Sequence, residues 1–423
     1  MMDQAVTAGA ATTAQLKQAV EAWCEHGHSR PLRSWLDRAL DGEGVPRDLR
    51  VPEWLPCLEA LNDARCARPE RWPIAFDARI EGFVRAVLRF SRPDGQPVMG
   101  APRAGASTAL RVLAEWTARL SDPALATVTD WWSAAPARRS RRHAPPPLPA
   151  WSSGTRPLAA LRADWSKPGG FVAIDHRDPA EACAVELFAT GQSWLGPGWF
   201  SDGESVVASR PKLTLWHSDS SADLAEWSFR CGERKVIRTA LVLRGRGLAL
   251  LADQVQGGGP EASMGLGISE AVAAGRVEES RAIRLSARRT GPAVHILPIG
   301  LPRRPYSTDR GSFAYDDETG LVVRHALAGQ RAWLPLLVSW DPIRNRKRAE
   351  WRVLTVAERM RACPPGAAFA ARVSWGRDDS LLIYRSLAKP GLRSFLGHQT
   401  RARFLVGLVN RTGDVEPVVT IDA

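Results

Sequence analysis

Apolar residues recur at helical spacing through the first third of the chain. Leu16, Val20, Trp23 and Cys24 stand at i, i+4, i+7 and i+8, which is one face of a helix, and Gly27 supplies its stop. Pro31 opens a second helix whose Leu32, Trp35, Leu36, Ala39 and Leu40 share a side. The same period returns at Ile80, Phe83, Val84, Val87 and Leu88, and again at Leu110, Leu113, Trp116, Thr117 and Leu120. Such stripes need one another for burial, so residues 1–133 are expected to form a small N-terminal helical domain. Inside it, residues 92–97 (RPDGQP) read as a turn: Pro93 presets φ and Gly95 permits a positive one.

The pattern then breaks. Residues 134–157 are dominated by Pro, Arg and Ser and hold too little apolar surface to offset the entropy of ordering, so they read as a linker. The cluster RRSRRH at residues 138–143 is accordingly read as solvated linker charge.

From residue 158 the period shortens to two. Trp227 and Phe229 alternate with polar neighbours, Gly232 marks a turn, and Ile237, Thr239, Leu241 and Leu243 share a face. Gly245 and Gly247 turn the chain again into Leu248–Leu251, so two consecutive hairpins are predicted. Further strands are predicted at 292–300, 320–325, 333–340, 351–358, 368–375, 381–386, 401–410 and 417–421. Short strands between turns, with little helical period among them, predict one large antiparallel β-sandwich over residues 158–423. The fold class is therefore α+β, with most of the 17 tryptophans expected in or at the edges of the sandwich.

Composition narrows the function classes. The 423 residues are 44% hydrophobic and 24% charged, with no apolar run long enough to cross a bilayer, which excludes a membrane channel and a disordered scaffold. The net charge of +12 suits an anionic partner, yet it is scattered, and only six of the 57 basic residues are Lys. No nucleic-acid reading motif accompanies it, so nucleic acid is not expected, and an anionic surface or an acidic polymer is left as the partner the charge suits. The six cysteines form no CxxC and no paired short spacing; they read as buried small hydrophobes, with no metal and no cofactor expected. The N-terminus lacks a basic start followed by an apolar stretch, so a cytoplasmic location is the default expectation, extracytoplasmic if the true start lies elsewhere.

Familiar catalytic signatures fail on spacing. Gly265-Leu266-Gly267 lacks the third glycine of a dinucleotide loop, no GxxxxGK[ST] occurs, and residues 191–196 are one too long for a nucleophile elbow. His26 and His28 are two apart and do not share a helical face. Chemistry gathers instead between residues 175 and 223. Trp194, Trp199 and Trp216 offer indoles for stacking on sugar rings, among Asp175, His176, Asp202, Glu204, His217, Asp219 and Asp223. Elimination from a uronic acid needs a base for the C5 proton and a cation to neutralise the carboxylate. Tyr306, flanked by Arg303, Arg304 and Arg310, is the best local match, with His217 or His176 as its partner. Tyr384 alternates as a strand residue and reads as structural.

Three stretches of the second half, residues 171–199, 228–257 and 351–409, resemble the β-sandwich of the heparinase II/III-like polysaccharide lyases. The middle one carries an Arg-containing strand, a tight turn and an apolar strand ending in Asp253. The resemblance spans roughly residues 165–423. It implies a β-eliminating activity on uronic-acid glycans, carried by a Tyr, a His and a carboxylate neutraliser in a cleft beside a long α/α toroid. Where that family places a His-bearing loop, this chain has Ala182-Cys183-Ala184-Val185-Glu186-Leu187-Phe188, and Asn occurs only at positions 62, 345 and 410. The leading expectation is thus a non-catalytic module that binds an anionic polysaccharide through Trp194, Trp199, Trp216, Arg303 and Arg304. The alternatives are an active lyase using Tyr306, His217 and His176, and a cytosolic interaction protein without a glycan ligand.

Overall fold

The computed structural model describes residues 12–101, 106–133, 144–178, 183–201, 209–287, 291–305, 311–328, 330–364 and 366–422. It divides into two compact units, one made of residues 1–149 and 165–167, the other of residues 150–164 and 168–423. The β unit thus begins inside the stretch read as linker: Trp151–Ser152 already pairs with Leu158–Arg162. The arginine cluster at 138–143 lies outside the described residues.

Among its described residues the first unit holds six helices: α1 (Thr13–His26), α2 (Ser29–Ala39), α3 (Val51–Ala67), α4 (Ile74–Arg89), α5 (Ala106–Thr117) and α6 (Pro123–Ser133). Thr12 caps α1 with a reciprocal box to Gln15, and Gly27 closes it in the left-handed conformation. The predicted stripes are the buried faces of α2 and α4, and in part of α1, where Leu16 and Trp23 are buried with Ala19 while Val20 and Cys24 are half-buried. Helix α3, absent from the predicted stripes, buries Val51, Trp54, Leu55, Cys57, Leu58, Leu61 and Ala64 on one side, while Pro52, Pro56 and Ala60 on the other side blur its apolar contrast. Gly44 (φ +80°) and Gly82 let the loop before α3 approach α4 so closely that a Cβ on Gly82 would lie 2.8 Å from the Glu43 carbonyl.

The second unit is a stack of antiparallel sheets that hold eight, eight, five and four strands among the described residues. The first runs, in spatial order, Trp151–Ser152, Leu158–Arg162, Phe171–Asp175, Ala184–Ala189, Gln192–Ser201, Glu261–Ile268, Gly320–Ala326 and Gly311–Asp316. The second runs Val272–Arg276, Ile283–Ala287, Ala293–Pro298, Arg331–Ser339, Leu248–Gln256, Arg234–Leu243, Ala222–Cys231 and Lys212–Ser218. The third contains Ala349–Val353, Ala368–Trp375, Ser380–Ser386, Phe404–Val409 and Val415–Ile421. A small fourth sheet is built from Arg361–Ala362, Ala357–Glu358, Arg393–Phe395 and His398–Thr400.

The second sheet is covered on both faces. Trp227, Ala240, Val242 and Leu251 share a core with Trp194, Trp199 and Met264 of the first sheet. Leu224, Leu241, Leu243 and Leu250 share another with Val373, Ile383 and Val406 of the third. A further cluster joins Leu382 and Tyr384 of the third sheet to Phe395 of the fourth. The predicted hairpins fall at Gly232 and at Gly245–Gly247, although the second outgoing strand runs on to Gln256, past the predicted Leu251. The predicted strand 351–358 is interrupted into Ala349–Val353 and Ala357–Glu358, which belong to different sheets. The cysteines are all free; Cys57, Cys183 and Cys231 are buried as expected of small hydrophobes, whereas Cys66 is exposed. Among the described residues no helix is long and apolar enough to cross a membrane.

Candidate functional site

A cleft of about 320 Å³ opens in the β unit between one edge of the second sheet and the first strand of the third. One wall is the hairpin turn that links Val272–Arg276 to Ile283–Ala287. It is closed by Val277 N–H donating to the Ala282 carbonyl at 2.9 Å and by Ser280 N–H donating to the Val277 carbonyl at 3.2 Å. The turn carries Glu278 and Glu279 into the cleft wall. A second wall, which adjoins the turn, is Arg303 together with Lys347, Arg348 and Ala349, and the buried His295 and Leu297 complete the lining as its floor. The Arg303 segment is fixed from two sides: its carbonyl accepts from Arg281 N–H at 2.8 Å, and its own Nε donates to the Ala349 carbonyl at 3.2 Å. Trp351 Nε1 donates to the Leu301 carbonyl at 2.8 Å and ties the same loop to the third sheet.

Charge in the cleft is mixed with a cationic excess. Arg304 Nη2 donates to Glu279 Oε2 at 2.8 Å, and Arg348 Nη2 reaches the same oxygen at 3.4 Å. Arg348 Nε lies 2.9 Å from Glu350 Oε1, and Arg303 Nε 3.5 Å from Glu350 Oε2. Except for Arg303, these side chains are more than half exposed, so the pairs contribute only ~0–1 kcal/mol each and exchange readily for an incoming anion. Lys347 is exposed at the rim. At the floor, His295 sits across from Arg284 in the strand register, and burial together with the Arg284 charge holds its imidazole below the ordinary range.

The other candidates are distributed differently. Trp194 and Trp199 are 0% and 1% exposed, wedged between the first and second sheets, so no sugar ring reaches their faces. That placement corrects their assignment as stacking platforms: both are core. Trp216 is half-buried against the same core from the edge strand Lys212–Ser218. Its neighbour His217 pairs with Asp219, Nε2 to Oδ2 3.1 Å, in the turn that follows. Asp219 also accepts from the Ser221 and Ala222 amides; these bonds outweigh its burial and hold its carboxyl below the usual range. Asp223 is bound by Arg244 and Ser218.

His176 is sealed in the interior, 0% exposed and edge-on to Phe229 with ring centroids 4.8 Å apart. Neither of its ring nitrogens has a hydrogen-bond partner among the described residues. Burial, reinforced by the nearby Arg238 charge, lowers its basicity far below the ordinary value. It is thereby removed from the proton-transfer role assigned to it beside His217, because a sealed imidazole meets no substrate. Tyr306, Arg310, Asp202 and Glu204 lie outside the described residues. Tyr384 is buried and accepts from Arg393 Nη1 at 3.2 Å, a structural role. Among the described residues no group of His, Cys, Asp and Glu is placed to hold a metal ion.

A helical domain followed by stacked antiparallel sheets, with a cationic cleft at a sheet edge, defines a protein of polysaccharide-lyase-like fold. The particular likeness is to heparan sulfate lyases. The structure matches heparan sulfate lyase HepC from Pedobacter heparinus with a TM-score of 0.60 at 12% identity over 92% of this chain, and a mutant of it with a TM-score of 0.62 over 91%. A heparinase III gene product matches with a TM-score of 0.61 at 10% identity over 88% of the chain. The match therefore takes in helices as well as sheets, beyond the roughly 165–423 span of the sequence resemblance. The chain spans about 65% of the length of each of these proteins. No protein-family model matches the sequence, and no curated protein does.

Proposed function

We propose that the protein is a binding module for an anionic polysaccharide and that the cleft between the 277–282 turn and Arg303, Lys347 and Arg348 is where the polymer is gripped. The observation that carries this reading is the convergence of Arg303, Lys347 and Arg348 on one concave surface of a heparinase-like fold, with Arg304 bonded to the Glu279 that lines it. Guanidinium groups match sulfate and carboxylate oxygens geometrically, and exposed pairs with Glu279 and Glu350 are cheap to exchange. The test is binding of the purified chain to heparan sulfate, heparin and an uncharged glucan at two salt concentrations. Salt-sensitive binding to the anionic polymers that falls on Arg348→Ala and Lys347→Ala supports the reading. Equal retention of the glucan and the anionic polymers removes it.

A second reading, β-elimination from a uronate glycan, is favoured by the fold shared with heparan sulfate lyases and by the Arg303–Arg304 pair preceding Tyr306. Unsaturated uronate products absorb in the ultraviolet. Under this reading heparan sulfate gives a rising absorbance that Tyr306→Phe abolishes; an equal rate in the variant clears Tyr306.

A further inference from the structure

We infer that the Arg304–Arg348 pair is a sulfate-binding subsite that the chain fills at rest with its own Glu279 carboxylate. The inference rests on reading the cleft as the ligand site and names what that site selects. Glu279 sits at the tip of the 277–282 turn with φ +51°, in the left-handed region that a non-glycine residue seldom adopts. The turn therefore holds a charged side chain where glycine or asparagine would be the ordinary choice. A single oxygen, Oε2, serves both Arg304 and Arg348, at 2.8 and 3.4 Å. One shared oxygen is a poor match for two planar forks, each built to grip two acceptors. A sulfate ester brings three terminal oxygens in a tetrahedron, enough to engage both guanidiniums at once, whereas the carboxylate of a uronic acid brings two in a plane. The subsite so favours a sulfated sugar over an unsulfated uronate.

Glu279 is 65% exposed on its side chain, so its release into water needs no unpacking of the core. The resident carboxylate then acts as a selectivity filter. A lone monoanion gains little over the resident carboxylate, whereas a sulfated chain that also meets Arg303 and Lys347 displaces it through several contacts at once. Glu278 lines the same wall and provides a matched control, because its neutralisation changes the net charge of the cleft by the same amount.

The experiment compares the full chain with Glu279→Gln and Glu278→Gln by calorimetric titration with a sulfated heparin-derived hexasaccharide and with an unsulfated heparosan hexasaccharide. In parallel, thermal unfolding is followed in sodium sulfate against sodium chloride at matched ionic strength. We expect Glu279→Gln to bind the sulfated hexasaccharide about tenfold more tightly than wild type and Glu278→Gln to stay within about twofold. Adding Arg304→Ala to Glu279→Gln should erase the gain. Equal gains in the two Gln variants overturn the inference and leave net charge as the only effect; hexasaccharide binding that Glu279→Gln leaves unchanged overturns it as well. If no hexasaccharide binds any variant but sulfate stabilises Glu279→Gln beyond wild type and Glu278→Gln, the subsite stands and the polysaccharide reading falls. If both hexasaccharides bind all three proteins alike, the polysaccharide reading stands and the subsite falls.

Discussion

Arg238 and Asp253 face each other across neighbouring strands of the second sheet, Nε to Oδ1 and Nη2 to Oδ2 both at 2.9 Å, with the two side chains 2% and 0% exposed. The pair also ties two sheets together. Ser201 of the first sheet donates to Asp253 and accepts from Arg238, and the Trp199 carbonyl takes a further bond from the guanidinium at 3.1 Å. The Arg238 cation lies over the Trp199 ring, 4.5 Å from its centroid. This is the Arg strand and terminal Asp253 on which the sequence resemblance rests, and its role in the fold is architectural.

Removing one partner from such a pair strands a charge in the interior. Asp253→Ala should therefore cost about 3–5 kcal/mol in urea unfolding, whereas the double variant Arg238→Met, Asp253→Leu should recover most of that loss by replacing the pair with apolar packing. A double variant as unstable as the single one would show that the Ser201 and Trp199 bonds, not the stranded charge, dominate.

His176 gives the sandwich an acid limit. In the folded chain burial, aided by Arg238, keeps the imidazole neutral well below its ordinary value of 6.5. The unfolded chain takes up that proton as the pH falls through about 6.5, so it binds more protons and stability declines from there down to the folded-state value. The slope from one such group is about 1.4 kcal/mol per pH unit. His295 is shifted the same way and adds its own share. Unfolding free energies at pH 7.5, 6 and 5 should accordingly fall less steeply for His176→Phe than for wild type; parallel curves would place the acid sensitivity elsewhere.

In the helical unit the close approach of Gly44 and Gly82 predicts a position-specific cost. A Cβ on Gly82 meets the Glu43 carbonyl at 2.8 Å, backbone against a helix, while one on Gly42 meets nothing within 4 Å. Gly82→Ala should thus destabilise by about 1–3 kcal/mol despite the better helix propensity of alanine. Gly42→Ala should be close to neutral. Thermal unfolding of both variants checks the contrast, and a stabilised Gly82→Ala would mean that the loop moves aside freely.

The sequence made some of this legible because certain elements meet solvent on one face only. Helices α1, α2 and α4 show their stripes, and the hairpins at Gly232 and Gly245–Gly247 carry their own turn residues. Other elements show themselves less: α3 carries Pro52, Pro56 and Ala60 on its outer side, which blurs its stripe, and the strand Leu248–Gln256, buried at every position but its last, lacks the alternation that would have marked its end beyond Leu251. The same limit misplaced Trp194 and Trp199, since carboxylates nearby in sequence say nothing about how deep an indole lies. Arg303 and Arg304 stood out as a pair, but their cleft partners Lys347 and Arg348 lie more than forty positions onward and are brought to them by long-range contacts: the bond from Arg303 to the Ala349 carbonyl and the carboxylates of Glu279 and Glu350 that both segments share. Among the signals available, the basic run 344–348 in RNRKR was the one that marked the second wall.

That wall separates two kinds of cation, and the difference is measurable. Arg303 is only 10% exposed on its side chain and spends its Nε on the Ala349 carbonyl, so it holds the 301–305 loop against the third sheet. Lys347 is exposed, on a residue whose amide already closes a short 3₁₀ turn by donating to the Arg344 carbonyl at 2.8 Å. Lys347→Ala should leave urea unfolding within about 0.5 kcal/mol of wild type and weaken binding of a sulfated oligosaccharide severalfold, with a shallower salt dependence. Arg303→Ala should lose about 1–2 kcal/mol of stability along with affinity, since the carbonyl it satisfied is left without that donor. Arg303→Lys should restore charge but not the bond geometry, and so recover less affinity than the retained charge alone would give. If Lys347→Ala binds as tightly as wild type, the cleft rim does not touch the ligand, and the grip must come from Arg303, Arg304 and Arg348 alone.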